Sequence, residues 1–259
     1  MTEAERDEAV ARLIQANEAK RQALRPSATW PDMTIEDAYA ISSELARRRI
    51  EGGAKLIGHK IGLTSKAMQR ASKIDEPDYG HLFDDMLIRD GACVAHAEYC
   101  VPRVECELTF ILGKPLKGPG VGLPEVMRAT EYVVPSIEII DARVDEPRRI
   151  VDTIADNGAA AGIVIGGRPM RPTDVDLGRV GGVLYRNTDI EETGLACGVL
   201  GNPAMGVAWL ANKLAPFGTV LEPGHMMLSG SFVRPVWAEP GDTIRADFGD
   251  LGSVAIQFA

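Results

Sequence analysis

The chain has 259 residues, of which 45% are hydrophobic and 25% charged, and carries a formal net charge of −9 with a pI near 5.1. This is an ordinary globular composition, long enough for one large domain with a well-buried core. So acidic a chain is a poor partner for nucleic acid or an anionic membrane surface, whereas a small anionic substrate is compatible with it if a metal or local cations override the overall sign.

Residues 3–24 contain no Gly or Pro, and Val10, Leu13 and Ile14 recur at helical spacing, which predicts an amphipathic helix ended by Pro26 and Pro31. The N-terminal MTEAERDEAV is acidic and lacks the apolar core of a signal peptide. No stretch approaches the roughly 18 apolar residues of a membrane helix, so a cytoplasmic protein is expected. Thr34, with Glu36 and Asp37 behind it, reads as an N-cap, and the helix it opens runs to about Arg49 and stops at Gly52-Gly53. Residues 1–55 thus form a helical portion. From 56 to 259 the texture changes to short strand-like runs, among them KLIGHKIGLT, RVECELTFILG, EYVVPSIEIIDARV, AAAGIVIGG and HMMLSGSFVRPVWAE, separated by Gly, Pro and Asp turns. LPEVMRATEY and NPAMGVAWLANKLAPFG are helical, the latter with Asn202 and Pro203 at its start. Many strands, few helices and no regular βαβ alternation predict an α+β fold with mixed sheets. There is no dinucleotide-binding glycine motif and no P-loop. Cys93, Cys100, Cys106 and Cys197 form no CxxC pair or zinc spacing, and are expected to be free, buried thiols.

One strand poses a question. In RVECELTF, Val104, Cys106, Leu108 and Phe110 alternate as a half-buried strand should, yet Glu105 and Glu107 then project together from the other face, about 7 Å apart along the backbone. Two carboxylates that close repel unless water or a cation lies between them. A third acid, Glu138, stands alone among Ile137, Ile139 and Ile140 in a run that reads as buried, where a carboxylate needs a partner. Converging from adjacent strands, the three would present hard oxygen ligands, without nitrogen or sulfur, and so select Mg²⁺, with Mn²⁺ able to substitute. Such a site keeps positions open for a bidentate ligand, and a 2-oxo acid fits them.

GHKIGLTSKAMQ, EPDYGHLFDDM, PRVECELTFIL, PSIEIIDAR, DTIADN and SGSFVRPV, in that order, resemble the hydratase/decarboxylase branch of the fumarylacetoacetate hydrolase superfamily. The resemblance runs from about Thr34 to the C-terminus. Glu-x-Glu alone carries little; the six motifs together carry much. The resemblance implies a mixed β-roll core, a helical N-terminal portion, and a divalent metal on Glu105, Glu107 and Glu138. It implies a hydratase of aromatic meta-cleavage catabolism, of the homoprotocatechuate type, that turns a 2-hydroxydienoate or 2-oxo-enoate such as 2-oxo-hept-4-ene-1,7-dioate into a 4-hydroxy-2-oxo acid. A decarboxylase of the oxalocrotonate type, or a hydratase of the shorter 2-hydroxypenta-2,4-dienoate, needs the same chelate and stands as the alternative. A homo-oligomer is implied too, with association with a partner enzyme of the pathway as a further expectation. A non-enzymatic metal-binding subunit is the third reading, and the intact glutamates and Lys60 argue against it.

The same resemblance bears on the remaining candidates. Lys60 in GHKIGLTS is either a surface lysine or a partly buried ammonium near the metal that stabilises enolate charge or moves a proton; the family match favours the second. Thr64 and Ser65 are ordinary turn residues or donors to the substrate carboxylate. Asp78, in a Pro-Asp-Tyr-Gly turn signature, is the candidate acid/base, and Tyr79 closes over the ligand. Asp156 is an Asx-turn residue or lies near the metal site. Ser231 offers a small donor. Arg234, read as an arginine in an otherwise apolar strand, faces water or holds a carboxylate through its two-pronged guanidinium. Lys66 and Arg70 are alternates for that task.

Overall fold

The computed structural model describes the backbone of residues 1–259 and every side chain except those of residues 71 and 72. Helix α1, Glu3–Ala19, opens on a capping box between Thr2 and Glu5 and closes at Lys20, whose left-handed backbone sends its N–H back to Ala16. It ends five residues short of expectation because the chain then extends and Ala23 bridges to Val144, a long-range contact with no local signal. A single turn, α2 (Pro26–Thr29), precedes α3 (Ile35–Glu51). The expected Thr34 cap is present, with Asp37 completing the box, and the amino terminus of Met1 lies 3.0 Å from Asp37.

Strand β1 (Leu56–Gly62) leads through α4 (Lys66–Ser72) into β2 (Asp78–Phe83), followed by β3 (Leu87–Arg89) and β4 (Cys93–Val94). The long β5 (Pro102–Leu112) and β6 (Thr130–Asp141) flank α5 (Leu123–Ala129), and α6 (Ile150–Ala155) precedes β7 (Ala160–Ile165). The hairpin of β8 (Gly181–Arg186) and β9 (Asp189–Leu195) is followed by α7 (Ala204–Leu214), β10 (Met226–Leu228), β11 (Val236–Trp237), β12 (Thr243–Asp247) and β13 (Ser253–Phe258).

These strands build two sheets. The larger runs β2-β1-β10-β5-β6-β7-β3, with β11 also paired to β5; the smaller runs β4-β13-β12-β8-β9. Parallel pairs (β1 with β10, β3 with β7, β4 with β13) mix with antiparallel ones, as the α+β reading expects. Between the sheets lies the main core. Val104, Cys106, Leu108 and Phe110 of β5 enter it with Ile137 and Ile139 of β6 and Ile244, Ile256 and Phe258 of the smaller sheet. Each large aliphatic or aromatic side chain buried there contributes about 1.5–3 kcal/mol. On the other face, Ala9, Val10 and Leu13 of α1 pack with Ala38 and Ile41 of α3 and Val151 and Ile154 of α6.

Several local expectations change. EPDYGHLFDDM is not a turn at Asp78: that residue starts β2, whose pairing with β1 supplies its backbone partners. HMMLSGSFVRPVWAE is two short strands around an irregular stretch, so Arg234 does not sit in a strand. The helices α4 and α6 escape the sequence reading because each spans under two turns. All four cysteines are free as expected, but Cys93 and Cys197 are exposed and only Cys106 is buried; Cys93 sits on a two-residue edge strand.

Candidate active site

In register, Glu105 of β5 lies opposite Glu138 of β6, and Glu107 opposite Ser136. The side-chain alternation that turns Cys106 and Leu108 into the core therefore turns all three glutamates to one side. Each offers an oxygen within 4.8 Å of the others. Glu138 is wholly buried, Glu107 1% exposed, and Glu105 reaches further toward solvent. Glu107 accepts a hydrogen bond from the Gly230 amide at 2.9 Å. Neither oxygen of Glu138 has a hydrogen-bond partner among the described residues. Burial, first of all, raises the pKa of each of the three carboxyls. Repulsion from Glu105 adds to this at Glu107, which is pushed up to about 8. Buried, mutually repelling and partly unpartnered oxygens are what a hard divalent cation would satisfy, so the residues fit such an ion.

Lys60, in the middle of β1, aims its Nζ at this cluster, 3.6 Å from Oε1 of Glu138. Its burial opposes the charge, but Glu138, Asp78, Glu105 and Glu107 outweigh burial and raise its pKa. Lys60 is thus a buried lysine aimed at the carboxylates and not a snorkelled surface one. Its stem is gripped by glycines: a Cβ on Gly158, which stands at φ +63°, would lie 3.2 Å from Lys60 Cδ. Asp78 completes the group. A Cβ on Gly62 would come within 2.1 Å of Asp78 Oδ1 and 3.1 Å of Lys60 Nζ, so carboxylate and ammonium share the space that glycine leaves. Asp78 is 1% exposed, its Oδ1 has no hydrogen-bond partner among the described residues, and burial raises its pKa although Lys60 lowers it.

A cavity of about 570 Å³ opens over these groups. Besides Lys60, Asp78, Glu105 and Glu107, the candidates Thr64, Ser65, Asp156, Ser231 and Arg234 line it. Their side chains differ in how free they are. Ser65 caps α4 through Met68 N–H at 3.2 Å, and Ser231 bonds within its own turn to Val233. Thr64 is buried against Gly230. Asp156 needs correction as a substrate contact: both its oxygens are taken by Arg143, through the backbone N–H (2.7 Å) and Nε (2.5 Å), so it anchors the wall. Tyr79 also needs correction. It is buried and stacks on Tyr39 at 4.7 Å, away from the cavity, because it follows Asp78 on a strand and so points to the opposite face. Arg234 stands at the rim, its side chain 82% exposed and paired with Glu192 at 2.6 Å.

Two basic cavity residues escaped the sequence reading, Arg103 and Arg148. For Arg103 a signal existed, since it shares the parity of Glu105 and Glu107. Arg148 lies outside any periodic element, and only the fold brings it in.

No family model matches the chain. Individual relatives do. The chain is 51% identical over 254 residues to 2-oxo-hept-4-ene-1,7-dioate hydratase of Escherichia coli, covering 95% of each chain. It is 38% identical over 259 residues to 2-keto-4-pentenoate hydratase of Paraburkholderia xenovorans, covering 100% of this chain and 96% of that one. Among solved structures, 4-oxalocrotonate decarboxylase from Pseudomonas putida G7, complexed with magnesium and adipate, superposes with a TM-score of 0.93 at 33% identity over 98% of each chain. A curled mixed sheet that gathers three carboxylates and a lysine under one cavity defines the class. The chain belongs to the hydratase/decarboxylase branch of the fumarylacetoacetate hydrolase superfamily.

Proposed function

We propose that the chain is a magnesium-dependent hydro-lyase that adds water to a 2-hydroxydienoate or 2-oxo-enoate of the 2-oxo-hept-4-ene-1,7-dioate type, yielding a 4-hydroxy-2-oxo acid. The observation that carries this reading is Lys60 Nζ, 3.6 Å from Glu138 inside a buried cluster of three carboxylates: a fixed positive charge beside a cation site. Identity to the E. coli hydratase supports the particular substrate.

Glu105, Glu107 and Glu138 would hold the ion. Magnesium bound there would supply Lewis-acid stabilisation of the negative charge that develops on the 2-oxo acid end. The Lys60 ammonium, pinned by the glycine-lined slot, stabilises negative charge as it spreads from the 2-oxygen along the diene. Asp78 Oδ1, buried and unpartnered among the described residues, takes the proton lost from the 2-hydroxyl, or from C3 of the keto form, and returns it at C5, which brings the double bond into conjugation with the ketone. Water then adds at C4, and C3 takes up a proton. Ser65, Ser231 and Asp156 act on the wall that shapes the cavity, while Thr64 borders the cavity beside Gly230.

The decarboxylase relative favours a second reading, since its chain superposes over nearly its whole length. Purified protein with Mg²⁺ and each dienoate separates the two. Loss of ultraviolet absorbance without CO₂ is the hydratase outcome; CO₂ release from 4-oxalocrotonate, with no hydration, overturns it.

Residues 1–55 act as a helical cap on the 56–259 core, supported by their packing on α6. A cytoplasmic location is part of the proposal; among the described residues no helix is long and apolar enough to cross a membrane. A homo-oligomer is expected from light scattering, with a mass that is a multiple of the 27.9 kDa chain.

A further inference from the structure

The same face of β5 that carries the glutamates also carries an arginine. Arg103, Glu105 and Glu107 leave one side of the strand and all line the cavity. Arg148 faces that cavity from the loop before α6. Its guanidinium is fixed from behind by the Val144 carbonyl at 3.3 Å and by the Glu146 carboxylate. That side chain is 12% exposed while Glu146 is 67% exposed, so the pair is anchored from its solvent side. Arg103 has no carboxylate partner among the described residues, and its guanidinium carbon lies 5.0 Å from the centroid of the Trp237 ring. Two guanidiniums therefore line one cavity, and of the two only Arg148 is paired with a carboxylate, that of Glu146. Arg234, the arginine singled out from sequence, is paired with Glu192 and differs from Arg148 in standing out in solvent at the rim.

Length decides what the pair would meet. One strand pleat sets Arg103 about 7 Å beyond Glu105 along the face. The six carbon–carbon bonds of an extended seven-carbon dioate separate its two carboxyl carbons by roughly 7–8 Å. With the 2-oxo acid end on the glutamates, that length is on the scale of the spacing from Glu105 to Arg103 along the strand, within the cavity that Arg148 also lines. A buried carboxylate is strongly disfavoured without such a partner.

We propose that Arg103 and Arg148 form the subsite for the second carboxylate of the substrate, so that the cavity selects a 2-oxo acid ending in a carboxylate over a neutral-tailed one of equal length. This rests on reading the glutamate cluster as the anchor of the 2-oxo acid end. The test is calorimetric titration of the magnesium-loaded protein with 2-oxoheptanedioate and with 2-oxoheptanoate, neither of which has a double bond to hydrate. The wild type prefers the dioate. Arg103→Gln and Arg148→Gln each weaken dioate binding by roughly tenfold to a hundredfold and leave 2-oxoheptanoate binding unchanged. Equal losses on both acids, an undiminished preference in both variants, or loss of the preference in Arg234→Gln instead would each overturn the subsite. Should Arg103→Gln fail to fold beside Trp237, Arg148→Gln carries the test, with its melting temperature as control. Because the readout is binding, a protein that prefers the dioate yet hydrates no dienoate keeps the subsite and loses the hydratase reading.

Discussion

Two buried charged clusters lie side by side in this protein. In one, Arg143 donates to both oxygens of Asp156 and to the carbonyls of Asp156 and Ala160. Donors and acceptors are matched within the chain. In the other, Glu105, Glu107 and Glu138 face one another with Lys60 as the cation beside Glu138, and Glu138 keeps both oxygens unpartnered among the described residues. The segment from Asp156 to Gly158 joins them, taking Arg143 at one end and packing on the Lys60 stem at the other. Burial alone does not separate the two; completeness does. A satisfied cluster holds the wall in place, and an unsatisfied one is stable only with something the chain does not supply.

That contrast is open to test. The largest effect is expected from chelation: EDTA abolishes turnover and added Mg²⁺ restores it, whereas activity in exhaustively chelated protein would remove the metal from the scheme. Glu107→Gln is expected to lose calorimetric Mg²⁺ binding and at least about 10³-fold in kcat, without lowering the melting temperature of metal-free protein, because it deletes a repelling charge. Asp156→Ala is the opposite case. It strands the Arg143 charge and should cost about 3–5 kcal/mol of stability in urea; a change under 1 kcal/mol would show that the satisfied pair is not what braces the wall. Lys60→Met is expected to lower kcat by about 10²–10³-fold while Mg²⁺ still binds; loss of metal instead would make Lys60 a structural counter-ion. Magnesium at about 100 times its Kd should stabilise the wild type by roughly 2.7 kcal/mol and Glu107→Gln by much less, read as a shift in melting temperature. The smallest effect is assigned to Arg234→Ala, under about threefold in kcat/KM, since exposed ion pairs contribute little.

What the sequence determined by itself follows from local periodicity. Alternation in RVECELTF is enough to set Glu105 and Glu107 on one face, and the lone Glu138 in an apolar run is enough to demand a partner, because side-chain direction in a strand and the cost of burying a carboxylate are properties of the segment itself. Thr34 with Asp37 likewise announces its helix. Tertiary structure decided the rest. Which strands pair, and so that Glu138 falls opposite Glu105, depends on register between residues more than 30 apart in the chain. Tyr79 left the site because Asp78 begins a strand, and Asp156 remains only in its wall because Arg143 claims both its oxygens. Arg148 entered it, and Arg234 moved to the rim, through the path of irregular loops. Loop residues carry no period from which a direction can be read, so their chemistry is settled only when the long-range contacts of the fold bring partners to them.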